Sequence, residues 1–244
     1  MGAHRERLKV LLFQLREDEE TRKIDHNSYC AAIGLASEQL RAFDVFAEAP
    51  TVSLLSGISV IIVGGSKASV WEDVPNQPAL MDVLKAAREK KIPILGICYG
   101  AQLLAHIFGG EVVRDEEHAE WGTFEIETTD DAITDILLAD APFSFSAQCA
   151  HHDAITKLPT SAILLASSAR CKVQAFVIPG ADIYGFQFHP ERTKADYEAM
   201  LAMKARDTSV DQGKLATIRA SLKETKDAES LLAKFIDRIV MLRR

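Results

Sequence analysis

A short apolar stretch, Ile92 to Leu95, runs into Gly96-Ile97-Cys98-Tyr99-Gly100, and a helix-like stretch from Gln102 to Phe108 follows. A strand that turns sharply into a helix lifts the residue at the turn out of the sheet edge, which is the mechanical logic of a nucleophile elbow. Glycines on both sides allow the tight turn and a close approach of backbone. Sulfur occupies the exposed position here. Much later in the chain, a second strand-like stretch (Asp182 to Phe188) ends in His189-Pro190-Glu191. An imidazole with a carboxylate two residues on supplies a base and a group to orient it. Pro190 stiffens that turn by fixing φ. Cys98, His189 and Glu191 are therefore the candidate nucleophile, base and orienting acid.

The surrounding pattern sets the fold class. The expected strands in the first half are Lys9 to Leu15, Val45 to Ala47, Ser59 to Val63 and Ile92 to Ile97. Helices are expected over Tyr29 to Leu40 and Pro78 to Lys90, the latter with Leu80, Val83, Leu84 and Ala87 on one face. Such alternation points to an α/β fold with a parallel, doubly wound sheet. From Glu111 to Phe186 the pattern changes to short β-like segments: Thr123 to Glu127, Phe143 to Ala147, Ile163 to Ser167 and Val173 to Ile178. These imply some antiparallel pairing and a mixed sheet. After Glu191 the chain reads as helical, and Leu232, Phe235, Ile236, Ile239 and Val240 form one apolar stripe. That stripe fits packing on the same domain, with a partner-docking helix as the alternative. The organisation expected is a unit over 1–192 and a helical extension over 193–244.

Composition excludes several classes. The 244 residues carry a net charge of −7, which argues against a nucleic-acid surface. The mostly apolar stretch Ile92 to Val113 is interrupted by Pro93, Gln102, His106 and glycines, so it does not read as a membrane span. Met1 to Arg5 leads into charge rather than an apolar leader core. Cys30, Cys98, Cys149 and Cys171 form no CxxC pair and no zinc spacing, and a working thiolate suits a reducing cytoplasm. Cys30, Cys149 and Cys171 read as structural. The remaining histidines (His4, His26, His106 and His118) have no supporting constellation, and Trp71 and Trp121 read as core or pocket wall.

The two motifs together, G-I-C-x-G-x-Q through Gln102 and the complete Gln187-Phe188-His189-Pro190-Glu191, resemble the class I (triad-type) glutamine amidotransferases. The resemblance covers roughly residues 8 to 192 and is to free-standing members similar to the amidotransferase domain of GMP synthase. It implies a flavodoxin-like layered sandwich around a central, mostly parallel sheet. It also implies hydrolysis of the glutamine γ-amide through a γ-glutamyl thioester, with ammonia passed to a separate synthase partner. The backbone amides of Tyr99, the residue after the nucleophile, and of Gly65, in a Gly64-Gly65 loop matching the family's, are the expected oxyanion donors. Ser66 departs from the family's frequent Pro. Gln102 matches the glutamine-binding Gln. His151 and Asp153 match the family's substrate-holding segment, while His152 stands in place of its usual Gly or Asn. A metal site from His151, His152 and Asp153 competes poorly, because adjacent residues rarely converge on one ion. The reaction requires no cofactor or metal. Two alternatives stay open: a γ-glutamyl peptidase acting on γ-glutamyl peptides or glutathione conjugates, and a catalytically silent binding or regulatory protein.

Overall fold

The computed structural model describes residues 5–242. Met1 to His4, on which the absence of a leader was read and which include His4, lie outside the described residues. The first strand, β1 (Val10–Gln14), is apolar on both faces, as a strand covered by helices on both sides must be. Helix α1 (Glu19–Ile33) follows. It starts on Asp18, whose side chain accepts from the Thr21 amide, and stops at Gly34, a left-handed cap. The expected helix over Tyr29 to Leu40 is thus corrected: only its first part is helical, and Leu40 already opens β2 (Leu40–Asp44). The strand expected at Val45 to Ala47 lies just beyond β2, where Asp44 instead accepts from the Phe46 and Ala47 amides in a turn.

Then come β3 (Val60–Val63), α2 (Gln77–Glu89), β4 (Ile94–Ile97) and α3 (Tyr99–Ile107). The second half contains β5 (Glu111–Arg114), β6 (Glu120–Thr128), β7 (Ser144–His151), β8 (Asp153–Lys157), β9 (Ile163–Ser167), β10 (Ala175–Ile178) and β11 (Ile183–Phe186). Three helices close the chain: α4 (Lys194–Lys204), α5 (Gln212–Ser221) and α6 (Lys226–Phe235), the last continuing into a wider turn over Ile236–Val240.

A nine-stranded sheet runs in the order β2-β1-β3-β4-β11-β10-β9-β6-β7, with β5 and β8 forming a separate pair. The pairs from β2 through β11 are parallel, and those from β11 to β7 are antiparallel. This is the mixed α/β sandwich the sequence implied. Alternate residues of the parallel strands feed two buried layers. Val10, Leu12, Val60, Ile62, Leu95 and Ile97 pack with α1 and α6. Leu11, Phe13, Ile61, Val63 and Ile94 pack with α2 and α3. The apolar stripe of α6 lies in the first layer, through Leu231, Leu232, Phe235 and Ile236.

A third, smaller cluster fixes α4 and α5 against the ends of β6 and β7. It contains Tyr197, Leu201, Leu215, Ile218 and Leu222, with Trp121 and Ala150 packed against them. The Tyr197 hydroxyl donates to the Cys149 carbonyl (2.8 Å) and accepts from the Gly122 amide (3.0 Å), locking α4 onto both strands. Among the described residues, no helix is long and apolar enough to cross a membrane.

Candidate active site

The carboxyl ends of the parallel strands meet at Cys98, where an open α/β sheet places its ligands. Cys98 has φ 53° and ψ −109°, a left-handed backbone that a non-glycine residue adopts at a cost of ~1–3 kcal/mol. Two close approaches hold it there. A Cβ on Gly96 would sit 2.5 Å from the Gly100 backbone, and one on Gly100 would sit 2.1 Å from the Val63 carbonyl. The G-x-C-x-G spacing therefore lets the start of α3 press onto β3 and β4. The Cys98 amide donates to the Phe186 carbonyl at 2.7 Å, tying the elbow to β11. The Gln102 amide makes a helical bond back to Cys98 (3.1 Å). The amides of Tyr99, Gly100 and Ala101 precede that bond, at the positive end of the helix dipole.

His189 follows β11 and is buried, with its Nδ1 donating to Glu191 Oε1 at 2.7 Å. Its other neighbour is Cys98. Burial alone lowers the imidazole pKa, but Glu191 and Cys98 beside it raise it to about 9. Gly65 lies against the same ring: a Cβ there would be 3.3 Å from His189 Cε1 and 2.9 Å from an Arg16 nitrogen. The Gly64-Gly65 loop leaves β3 directly, and the Gly64 amide is anchored on the Phe13 carbonyl (3.0 Å). Where the family often has Pro, the Ser66 hydroxyl accepts from the Ala68 amide (3.2 Å), a local turn that shapes the loop.

The other predicted contacts fall into two groups. The Gln102 side chain is buried and already engaged, donating to the Asp153 carbonyl and to Gln187 Oε1, each at 3.0 Å. It ties α3 to the His151-His152-Asp153 segment. His151 is also buried and saturated: Nε2 is 2.7 Å from Glu120 Oε2, and Nδ1 is 3.0 Å from the Asp153 carbonyl. His152 instead bonds the Asp153 carboxylate (2.8 Å) and reaches toward Trp121, with ring centroids 6.3 Å apart. The Cys98 sulfur donates to the Ala150 carbonyl at 3.9 Å, so this segment borders the sulfur directly. Glu120, Cys149 and His151 bring donor atoms within 4.8 Å of one another. Glu120 is fully occupied there, by His151, by Ser168 Oγ (2.6 Å) and by Gln174. The group is built as a hydrogen-bond brace.

Sequence reasoning missed the groups behind His189 and Glu191. Arg192 is buried and lies 3.6 Å from Glu191 Oε1 and 2.5 Å from Asp25, and Asp25 accepts from Arg16 at 2.8 Å. Burial raises the Asp25 pKa, yet the two arginines outweigh it and hold the carboxyl below its usual range. Adjacency of Arg192 to the His-Pro-Glu run was the only available signal, because its partner comes from the far end of the chain. Trp71, expected in the core or a pocket wall, is 48% exposed, while Trp121 is partly buried against the Tyr197 cluster.

Residues 33–207 match the family model described as glutamine amidotransferase class-I. The chain belongs to this family of enzymes. It is 36% identical to the glutamine-hydrolyzing GMP synthase of Streptococcus pneumoniae (strain CGSP14) over 64% of this chain and 30% of the relative. The chain therefore spans about a third of the length of that relative. Among solved structures, a glutamine amidotransferase from Thermotoga maritima superimposes with a TM-score of 0.73 at 22% identity, covering 96% of this chain and 98% of that one. A glutamine amido transferase from Methylobacillus flagellatus gives 0.70 at 20% identity, over 94% of each chain. These structural likenesses support the fold.

Proposed function

We propose that this chain hydrolyses the γ-amide of glutamine, with Cys98 as nucleophile, His189 as proton carrier and Glu191 as its orienting partner. The observation that carries this reading is His189, held between Glu191 and Cys98 at the strained elbow. The thiolate attacks the γ-carbonyl carbon, and the C–N bond breaks as His189 gives its proton to the departing ammonia, since an amide anion is too basic to leave. A γ-glutamyl thioester remains. Water then adds, giving its proton to His189; the C–S bond breaks, and glutamate leaves with the thiolate regenerated. The amides of Gly65 and Tyr99 would receive the developing oxyanion, a contribution worth a few kcal/mol in such sites.

Gln102, Gly64, His151, His152 and Asp153 form the wall against which glutamine lies. Gln102 and His151 act there through the backbone they brace, since their side chains are already bonded. We read residues 1–192 as the amidotransferase unit, with the helices α4 to α6 as an extension packed on it. The chemistry uses no cofactor. The thiolate suits a reducing compartment such as the cytoplasm. The relatives named as GMP synthases support a separate synthase partner that takes the ammonia. The test is glutamate and ammonia release from glutamine by the purified protein. Release that disappears in Cys98→Ala is expected. Release equal in the two proteins sinks the assignment.

A further inference from the structure

The two amides assigned to the oxyanion come from separate segments, and both have to sit about 2.7–3.1 Å from one oxygen. Tyr99 opens α3, directly after the elbow. Gly65 lies near the start of a connection, residues 64 to 76, that carries no strand or helix between β3 and α2. Local turns bend this connection. Ser66 Oγ accepts from the Ala68 amide (3.2 Å), and Glu72 Oε2 accepts from the Ser69 amide (3.1 Å). Such bonds shape a loop without attaching it to the rest of the molecule.

Gln77, the first residue of α2, supplies an attachment. Its buried Nε2 donates to the Val70 carbonyl (2.9 Å), in the middle of the loop, and to the Tyr99 hydroxyl (2.6 Å). An amide nitrogen has two hydrogens, so both are spent on this link. Val70 and Tyr99 are buried in the same apolar layer, where water does not compete for either bond. The preceding residue, Asn76, has φ 60°, a left-handed backbone, and its side chain donates to the Val45 carbonyl at 2.7 Å. Asparagine takes this conformation more readily than most residues. It turns the chain from the loop into α2 with the Gln77 side chain buried.

Resting on the Cys98 hydrolase reading, we infer that Gln77 is a positioning residue of the oxyanion site: it ties the loop that carries Gly65 to the side chain of Tyr99, so that the two amides keep one spacing. Gln77 acts through Val70 and Tyr99, not on the substrate. A shift of Val70 is passed back along a short, bent stretch to Gly65. Gly65 has little slack, since a Cβ there would come within 3.3 Å of His189 and 2.9 Å of Arg16. Breaking the link leaves Cys98, His189 and Glu191 in place and spoils the reception of charge that develops only in the transition state.

The experiment pairs steady-state glutamate release from glutamine with the rate at which iodoacetamide alkylates Cys98, read by peptide mass. Alkylation displaces iodide from a saturated carbon and needs the thiolate but no oxyanion site. Gln77→Met keeps the side chain's length and removes both donors. It should lower kcat about tenfold, less than the 10²–10³ that follows loss of an oxyanion donor outright. KM and the alkylation rate should stay within about twofold, since neither depends on the transition state. Tyr99→Phe keeps the backbone amide and breaks only the link to the elbow. It should show the same pattern at about threefold in kcat, and it decides the matter if Gln77→Met does not fold. Unchanged kcat in Tyr99→Phe, or in folded Gln77→Met, overturns the proposal. So does a parallel fall of kcat and alkylation, which would place the damage at the nucleophile. Glutamate release by the unsubstituted protein that does not depend on Cys98 is a different result, and it sinks the hydrolase reading itself.

Discussion

Two histidine–glutamate pairs lie close together in this molecule, and their contacts are equal in length. His189 meets Glu191 at 2.7 Å, and His151 meets Glu120 at 2.7 Å, all four residues being buried. Their surroundings separate them. His151 has both ring nitrogens facing acceptors, and Glu120 is also bonded by Ser168 and Gln174. Nothing remains there to take a proton from a thiol. His189 has one nitrogen on Glu191 and turns its other side to Cys98. Glu191 Oε2 makes no hydrogen bond among the described residues, and Arg192 supports the carboxylate only at 3.6 Å. A saturated pair braces a fold, whereas a pair with one open position can move a proton.

The contrast is broken most directly at the histidines. His189→Asn should reduce glutamate release by about 10²–10⁴-fold, the range expected for loss of a general acid–base. His151→Asn should instead lower the melting temperature, with a smaller loss of turnover below the transition. It leaves the buried Glu120 carboxylate without one of its hydrogen-bond partners, a change that costs about 1–3 kcal/mol. Thermal melts and turnover on the same preparations check both expectations.

The pH profile sharpens the comparison. With His189 raised to about 9, kcat/KM should fall on the alkaline side near that value, as the imidazolium needed by the leaving group is lost. Glu191→Gln removes a charge that raises this pKa, so the alkaline limb should move to lower pH. An unmoved limb would show that Glu191 does not set the protonation of His189.

A smaller effect is expected at the other pair. Burial raises the Glu120 pKa, but hydrogen bonds from His151 and Ser168 outweigh it and hold the carboxyl below its ordinary 4.5. A depressed folded-state pKa contributes stability above the unfolded value, and that stability is lost as pH falls through the folded value. The melting-temperature gap between unsubstituted protein and Glu120→Gln should therefore be widest near neutrality and close on acidification. The smallest effect should come from Asp25→Asn. It weakens the support of Arg192 behind Glu191, and a several-fold drop in kcat is expected with KM unchanged, read from steady-state kinetics.

The parts legible in the sequence are those in which one local pattern specifies one structure. The apolar runs at Val60–Val63 and Ile94–Ile97, the glycines flanking Cys98 and the His-Pro-Glu run all act within a few residues of themselves. Gly34 also carried a local signal, a glycine closing a periodic run, and it would have ended α1 correctly. The groups that stayed hidden are held by partners distant in the chain. Glu120 lay outside the strand expected at Thr123 to Glu127, and only the pairing of β6 with β7 puts it beside His151. Asp25 lies on α1 and Arg192 follows β11, and no spacing records that they meet. The approach of Lys204 and Lys214 to the Trp121 ring depends on how two helices fold back onto a strand end.

The most direct test compares Glu191→Gln and Glu120→Gln side by side, each measured for glutamate release from glutamine and for melting temperature. The account predicts that Glu191→Gln loses about 10²-fold or more in kcat while keeping its melting temperature. Glu120→Gln should melt lower and keep kcat within about threefold below its transition. A Glu191→Gln protein as active as the unsubstituted chain, with the loss of turnover falling on Glu120→Gln instead, would contradict it.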